Sequence, residues 1–249
     1  MLELHGVSKH FGGVRAVDGV DLTVARGEIL GLIGSNGSGK STIVNLICGL
    51  LPLTSGRIVF DGADISVMPM HARVTRGVAR TFQNIRLFGQ LTVWQNLWVA
   101  QNSREQRREN FARRWFGGSR GVREEIERTL EFFDLAHKSD ELAANLAFGE
   151  QRRLEFARAL AAKPTLLLLD EPAAGMNAEE IDQLDDRIRK MRQDGITVLL
   201  IEHHMELVMS VADRIAVLNF GQKIAEGTPA AVQANPAVRE AYLGTAKVR

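Results

Sequence analysis

One stretch of eight residues has the composition and spacing of a phosphate-binding loop. It fits the pattern G-x-x-x-x-G-K-[ST], in which glycines, a lysine and a hydroxyl residue occupy fixed positions. We expect it, together with the Thr42 that follows, to bind the phosphates of a nucleoside triphosphate. The residues of the loop are Gly34, Ser35, Asn36, Gly37, Ser38, Gly39, Lys40 and Ser41.

The chemistry of this loop follows from its residue types. Glycines permit backbone conformations that side chains forbid, so that successive N–H groups can turn towards an anion. Lys40 is placed to reach the β- and γ-phosphates, and the Ser41 hydroxyl is placed to ligate Mg²⁺. The alternative is a glycine-rich turn with a chance lysine. An apolar run before the loop and a helical pattern after it favour the phosphate-binding interpretation.

Two carboxylates form a second candidate group. Asp170 and Glu171 directly follow the apolar run Leu166–Leu169, which predicts a buried strand. Open α/β sheets bind ligands at the carboxyl ends of their strands. Asp170 could therefore hold Mg²⁺ through water, and Glu171 could act as the general base that polarises the attacking water. The alternative is a strand end that happens to be acidic.

Four further residues are candidates whose roles the pattern alone leaves open. His203 and His204 follow the next apolar strand, and of the two His203 is the better candidate for a γ-phosphate contact. A histidine is nevertheless more often structural than catalytic. Gln83 carries no signal by itself. Phe11 is either a core residue or a stacking platform for adenine.

The elements that must position these residues predict an α/β fold. Alternation of apolar and polar residues in 1–27 indicates antiparallel strands. Continuous apolar runs indicate buried parallel strands, and the region from about 90 to 160 is helical and more polar. The other predicted elements are strands at 28–33, 57–62, 165–169 and 197–201, helices at 42–50 and 178–193, and a hairpin at 214–225.

Composition excludes several classes of protein. The chain has 249 residues, of which 45% are hydrophobic and 24% charged, and the net charge of +1 predicts no nucleic-acid partner. A single cysteine, Cys48, excludes an internal disulfide. No apolar run approaches the roughly 18 residues of a membrane helix. Segment 104–123 holds seven arginines and several aromatics; a solvated helix is favoured over a nucleic-acid or membrane contact.

At these residues the chain resembles the nucleotide-binding subunit of an ATP-binding cassette (ABC) transporter, from end to end. The resemblance implies that Phe11 stacks on adenine and that Gln83, as the Q-loop glutamine, takes part in catalysis and Mg²⁺ binding. It likewise assigns Asp170 to the metal, Glu171 to water activation and His203 to the γ-phosphate.

The resemblance also implies the fold, a P-loop NTPase of the α/β class. Residues 1–249 would form one ABC domain with a RecA-like core sheet and an N-terminal antiparallel β-subdomain. An α-helical subdomain, at approximately 90–160, would be inserted in that core.

The family's signature motif corresponds to residues 146–151, but with a departure. In the family this motif opens a helix that caps the γ-phosphate bound to a second cassette, so that one chain alone has only half-sites. Ala147 replaces the usual serine and removes a hydroxyl donor worth about 1.5–3 kcal/mol, so we expect a weaker half-site that still functions. The nucleotide contacts implied here are Ala147, Phe148, Gly149, Glu150 and Gln151.

Within the family, the chain is most similar to the larger ATPase subunit of bacterial branched-chain amino acid importers. The stretches that carry this similarity are 80–88, 170–177 and the tail from Glu226 to Gly244. The resemblance implies ATP and Mg²⁺ as ligands. It implies as partners a second ATPase subunit or a second copy, two transmembrane permease subunits and an extracytoplasmic solute-binding protein. The subunit would lie peripherally on the cytoplasmic face of the plasma membrane.

Four alternatives remain open at this point. The first is a soluble ABC-type ATPase acting on nucleic acid or ribosomes, although this chain lacks the long coiled coil or the second cassette usual in such proteins. The second is an importer of urea or amides. The third is a regulatory module that no longer hydrolyses ATP, and the fourth is the motor of an exporter.

Overall fold

The computed structural model describes residues 1–82, 85–105 and 120–243, and the chain divides into two compact units. The first unit combines Met1–Arg73 with Leu168–Arg249, and the second is the continuous segment Val74–Leu167. The division falls within a strand, since Leu166–Asp170 begins in the second unit and ends in the first.

The strands of the described residues confirm the α/β fold that the sequence predicts. In chain order they are β1 (Leu2–Phe11), β2 (Val14–Val24), β3 (Ile29–Gly34), β4 (Ser55–Phe60), β5 (Ala63–Asp64), β6 (Val78–Arg80), β7 (Leu166–Asp170), β8 (Thr197–Ile201), β9 (Arg214–Asn219) and β10 (Gln222–Gly227).

An antiparallel sheet occupies the N-terminal part of the first unit. Its order is β2-β1-β4-β5. Leu2 pairs with Val24 on one side and with Phe60 on the other, and all three side chains are buried. Buried and more exposed residues therefore alternate along β1 and β2, because one face of this sheet is covered and the other is not.

A mostly parallel sheet forms the core of the first unit. Its strands follow the order β10-β9-β3-β8-β7, with β3 parallel to both β8 and β9 and with β10 antiparallel to β9. Every residue of β3, β7 and β8 is buried, as their continuous apolar sequences require. Because β7 and β8 are neighbours, Glu171 and Glu202 follow adjacent strand ends.

The helices follow the sequence patterns closely. They are α1 (Lys40–Cys48), α2 (Met70–Arg76), α3 (Val93–Glu105), α4 (Arg120–Phe132), α5 (Phe148–Ala161), α6 (Ala178–Gln193), α7 (Met205–Val211), α8 (Pro229–Ala234) and α9 (Pro236–Leu243). The predicted bounds of α6 are confirmed. Asn177 and Glu180 form a reciprocal capping box at its start, which explains where the helix begins. Helix α1 begins at Lys40, two residues before the predicted start.

The second unit is mainly helical. Helices α3, α4 and α5 bury an apolar core that includes Leu97, Leu130 and Phe156. The rings of Phe133 and Phe156 stack with their centroids 6.4 Å apart. Most of the arginine-rich segment 104–123 lies outside the described residues, and so does Gln83.

Across the described ranges, none of the helices combines the length and the hydrophobicity that a membrane crossing requires.

Candidate functional site

The predicted phosphate-binding loop connects β3 to α1 in the first unit, and its glycines are required by close packing. Gly39 has a φ of 106°, and a Cβ at this position would lie 2.5 Å from the Ala16 carbonyl oxygen. A Cβ on Gly34 would lie 2.4 Å from the Leu218 carbonyl oxygen. Both distances exclude a side chain, so the loop can take its present course only with glycine.

Lys40 is the buried cation of this loop. Its Nζ donates hydrogen bonds to the carbonyl oxygens of Gly34, at 2.8 Å, and Ser35, at 3.0 Å. Burial lowers the pKa of Lys40, and the carboxylates of Glu171 and Asp170 act in the opposite direction. A buried ammonium beside the first turn of α1 is suited to an anionic ligand, because the helix N-terminus attracts negative charge as well.

The loop also offers an unfilled donor. The Oγ atom of Ser38 is buried and has no hydrogen-bond partner. Buried hydroxyl groups are almost always hydrogen-bonded, so this hydroxyl is available to bond with a phosphate oxygen. The constrained glycines, the buried ammonium and this hydroxyl together fit a chain of phosphate groups.

Asp170 and Glu171 lie at the carboxyl end of β7, as predicted. Asp170 is buried as the last residue of the strand. Glu171 turns away from the sheet with a φ of 50°, and its N–H donates to the Ile201 carbonyl oxygen at 2.8 Å. The left-handed conformation is uncommon for a residue with a long side chain, so the strand does not continue through Glu171.

The structure brings Glu171 and His203 together. His203 Nε2 lies 2.7 Å from Glu171 Oε1, and the side chains are 43% and 18% exposed respectively. The contact distinguishes His203 from His204, whose Nδ1 atom is buried without a hydrogen-bond partner. A carboxylate and an imidazole in hydrogen-bond contact can hold and orient a water molecule beside a phosphate.

Glu202 is a further residue of this region that sequence reasoning did not single out. Its side chain is buried, and its carboxylate accepts hydrogen bonds from the backbone N–H groups of Ala173, His203 and His204. The available signal was an acidic residue directly after an apolar strand, the same signal that identified Asp170.

Phe11 lies at the end of β1, next to the tight turn that leads into β2. Its side chain is 47% exposed, so the ring is not part of the core. The Nζ atom of Lys9 lies 5.1 Å from the ring centroid. An exposed ring of this kind is available for stacking on a planar ligand.

The metal ligands predicted for this site are the Ser41 hydroxyl, the Asp170 carboxylate and the side-chain amide of Gln83, of which Gln83 lies outside the described residues. Ser41 is exposed in the first turn of α1, and Asp170 lies at the end of β7. Within the described residues, no three His, Cys, Asp or Glu side chains are grouped around a possible metal position. A sparse set of oxygen donors fits Mg²⁺, which keeps several water ligands when it binds with phosphates.

The signature residues belong to the second unit. Ala147 precedes α5 in an extended conformation and provides no side-chain cap, while its N–H donates to Glu150 Oε2 at 2.9 Å. A hydrogen bond from Lys138 is the main reason that the pKa of Glu150 is lowered, so this carboxylate stays ionised. Gln151 donates to the Leu146 carbonyl oxygen, and Phe148 is 62% exposed.

The segment before Gln83 is fixed by α5. The Phe82 N–H donates to Glu155 Oε1 at 3.1 Å, and its carbonyl oxygen accepts from Arg152 Nη1 at 3.0 Å. The guanidinium groups of Arg80 and Arg86 lie 4.6 and 4.7 Å from the centroid of the Phe82 ring.

Comparison with known proteins identifies the family of these features. Residues 17–174 match the model of the ABC transporter family, and residues 222–248 match that of the branched-chain amino acid ATP-binding cassette transporter.

Two curated relatives align over nearly the whole chain. One is the high-affinity branched-chain amino acid transport ATP-binding protein BraF of Pseudomonas aeruginosa, 44% identical over 99% of this chain and 98% of its own length. The other is the corresponding protein LivG of Escherichia coli, 40% identical with the same coverage. A crystal structure of an ABC transporter cassette in its ADP conformation superposes with a TM-score of 0.84, at 32% identity and 98% coverage of both chains.

Proposed function

Because the chain belongs to the ABC transporter family, we propose that it is the ATP-hydrolysing subunit of an uptake transporter for branched-chain or related amino acids. Family membership makes it an ATPase subunit that binds adenine nucleotides. The similarity to BraF and LivG over nearly the whole chain, and the match at residues 222–248, support import of amino acids. The structural observation behind hydrolysis is the contact between Glu171 and His203, in the same unit as Lys40.

In this proposal the phosphate-binding loop binds the nucleotide. Lys40 exchanges its hydrogen bonds with the loop carbonyl groups for bonds to the β- and γ-phosphates, and Phe11 stacks on the adenine. Ser41 and, through water, Asp170 would hold Mg²⁺, which would supply positive charge to offset that of the phosphates. The family resemblance adds Gln83 as a further contact to this ion.

Glu171 and His203 carry out the hydrolytic step. Glu171 orients the attacking water and accepts its proton, and His203 holds the Glu171 carboxylate in place through their 2.7 Å contact. As the family resemblance implies, His203 also contacts the γ-phosphate.

The signature residues are proposed to act on the nucleotide of a second cassette. The N-terminus of α5, Gly149 and the exposed Phe148 would complete the partner's site, while Ala147 contributes no hydroxyl. The second cassette is either a related subunit or a second copy of this chain, and ATP binding would draw the two together.

The remaining partners follow from the same family. We expect two transmembrane permease subunits and an extracytoplasmic solute-binding protein, with this chain lying peripherally at the cytoplasmic face of the membrane. The Q-loop at Gln83 and the helical subdomain, at approximately residues 90–160 of a single domain 1–249, would pass the motion to the permeases. These assignments stay predictions.

A glutamine substitution tests the role of Glu171. Glu171→Gln should leave ATP binding intact and lower turnover by about 10²–10⁴-fold, the usual contribution of general-base catalysis. Binding is measured with a fluorescent ATP analogue and turnover by phosphate release. The matched control is Glu179→Gln, the same change at an exposed position in the first turn of α6. Near-normal hydrolysis by Glu171→Gln would refute the assigned role.

The partners are tested by isolating the complex. Tagged Glu171→Gln chain is incubated with ATP in detergent-solubilised membranes, and the proteins that co-purify are identified. Multi-span permeases with a second cassette are expected. Recovery of ribosomal or DNA-associated proteins would contradict the proposal and favour a soluble ATPase. Uptake by the complex reconstituted with the unsubstituted chain, with leucine, urea and a short amide compared, then decides the solute.

A further inference from the structure

We propose that Glu202 is a positioning residue that keeps Glu171 and His203 in the relative position that hydrolysis requires. The inference rests on the roles proposed above for those two residues. Glu202 follows β8 directly, one residue before His203, and it has been assigned no role by the motifs. It acts through the backbone of the two loops at the ends of β7 and β8.

The carboxylate of Glu202 joins these two loops. Oε1 accepts a hydrogen bond from the Ala173 N–H at 2.7 Å. Oε2 accepts from the N–H groups of His203, at 2.7 Å, and His204, at 3.0 Å. Each oxygen thus serves a different loop, and the side chain is only 4% exposed. Hydrogen bonds to a buried carboxylate are short and directional, so they fix both backbones.

The loop that carries Glu171 needs such a restraint. Glu171 has a φ of 50°, a left-handed conformation that costs free energy for a residue with a Cβ. A conformation of this kind persists only where surrounding contacts determine it. Two contacts flank it here: the Glu171 N–H bonds to the Ile201 carbonyl oxygen, and two residues later the Ala173 N–H bonds to Glu202.

The restraint acts on the catalytic contact itself. Glu171 and His203 meet side chain to side chain at 2.7 Å, and each belongs to a loop that Glu202 holds. If the Ala173 bond is lost, the turn after Glu171 can relax and its carboxylate can move relative to His203. A displacement of about 1 Å in an active site costs on the order of 10²-fold in rate.

A carboxylate is the group that this position requires. All the groups that face Glu202 through the described hydrogen bonds are N–H donors. A glutamine has nearly the same shape, but one of its two terminal atoms is an NH₂ donor. That donor would face another donor on one of the two loops, whichever way the amide is turned. Aspartate keeps both acceptors but is one methylene shorter, so it cannot reach both loops at once.

The test uses the transporter complex purified through a tag on this chain. Glu202→Gln should lower the kcat for ATP hydrolysis by roughly 10–100-fold, with the KM for ATP within about threefold of the unsubstituted protein. The kcat of Glu202→Asp should fall between that of Glu202→Gln and that of the unsubstituted protein. The matched control is Glu206→Gln, an exposed glutamate four residues further along, which should leave both constants unchanged.

A general loss of stability must be separated from misplacement. Val198→Ala, in the buried strand β8, removes core volume without touching either loop, and it should lower the melting temperature but keep kcat. Amide hydrogen exchange in peptides covering 172–176 and 202–205 gives a direct measure of the loops. Faster exchange in Glu202→Asp and Glu202→Gln is expected, even where a variant is too unstable for kinetics.

The outcomes distinguish this inference from the proposed function. If Glu171→Gln stops turnover but Glu202→Gln retains normal kcat and normal exchange in both peptides, the positioning role is wrong and the ATPase assignment stands. If Glu202→Gln and Val198→Ala lose kcat equally at equal melting temperature, the role is merely structural and the inference is overturned. If Glu171→Gln hydrolyses ATP normally, the proposed function fails first.

Discussion

The amine of Lys40 is enclosed by the backbone of its own loop, and this predicts how a substitution behaves. Lys40→Met should weaken ATP binding by roughly 10–150-fold, because a charge-assisted hydrogen bond contributes about 1.5–3 kcal/mol. Lys190→Met, on the exposed face of α6, is the control. Fluorescence titration with an ATP analogue measures both. Equal affinities in the two variants would exclude Lys40 from the nucleotide site.

At this scale the sequence predicts residues that stand side by side in the chain. The phosphate loop is one continuous stretch, and Asp170 and Glu171 follow a strand that is recognisable by its apolar run. The role of Glu202 depends on the pairing of β7 and β8 in one sheet, which brings Ala173 to its carboxylate. No local pattern contains that information. Phe11 could be core or platform from sequence, and only its exposure separates the two.

Among the elements, the helix that follows the phosphate loop has an unusual cap. The Nη1 atom of Arg73 donates to the carbonyl oxygens of Leu46, at 2.6 Å, and Ile47, at 2.9 Å, near the end of α1. Its other nitrogens bond to the carbonyl oxygens of Ser66 and Met68. The side chain is buried, and a cation at a helix C-terminus is favoured by the helix dipole.

Removal of this cap should destabilise the first unit. Arg73→Met leaves several carbonyl groups without their donors, so we expect a loss of about 3 kcal/mol or more in the free energy of unfolding. The control is Arg76→Met, an exposed arginine at the end of α2. Denaturant unfolding measures the difference. Equal stability of the two variants would show that water can replace the Arg73 guanidinium as the hydrogen-bond donor to these carbonyl groups.

Helix α5 makes a second prediction through the buried ion pair of Arg152 and Glu155, whose Nη1 and Oε2 atoms lie 3.4 Å apart. Burial raises the pKa of Glu155, an effect that the Phe82 N–H and Arg152 only partly offset. Between 4.5 and this raised pKa the folded protein binds more protons than the unfolded one, so stability falls as the pH rises through that window. Glu155→Gln should abolish this pH dependence, which unfolding curves at several pH values will measure.

The same pair gives a contrast between two substitutions. Glu155→Ala removes the acceptor for Phe82 and for Arg152, and loss of one partner from a buried pair costs about 3–5 kcal/mol. Glu155→Gln keeps an acceptor for the Phe82 N–H and should cost less. If both variants are equally unstable, the hydrogen bond to Phe82 contributes nothing.

At the scale of the whole molecule, the departure at Ala147 bears on how two cassettes associate. Ala147→Ser adds an N-cap to α5, worth about 1 kcal/mol in stability, and in the proposed pair of cassettes it would add a donor for the nucleotide of the second cassette. In the Glu171→Gln background it should tighten the ATP-dependent association of two cassettes, measured by light scattering in the presence of ATP. A rise in melting temperature without tighter association would show that the serine caps the helix but does not contact the nucleotide of the second cassette.

The overall architecture was predictable because its parts have strong periodic signals. The continuous apolar runs predicted β3, β7 and β8, and helical spacing that stops before Gly195 predicted the bounds of α6. The division into units is different in kind. It falls inside β7, between Leu167 and Leu168, within a run of four buried leucines (166–169), so composition does not change at the boundary.

The order of the strands has a consequence for the protein as it leaves the ribosome. The strand that leads into the phosphate loop, β3, pairs only with β8 and β9 among the described strands. Both are synthesised after residue 196, whereas Val74–Leu167 is one continuous segment whose synthesis is complete before then. During translation both edges of β3 therefore stay unpaired until β8 and β9 have been made. An apolar strand with unpaired edges is prone to aggregate. A nascent chain stalled before Thr197 should thus need a chaperone to stay in solution, whereas one released after β9 should not.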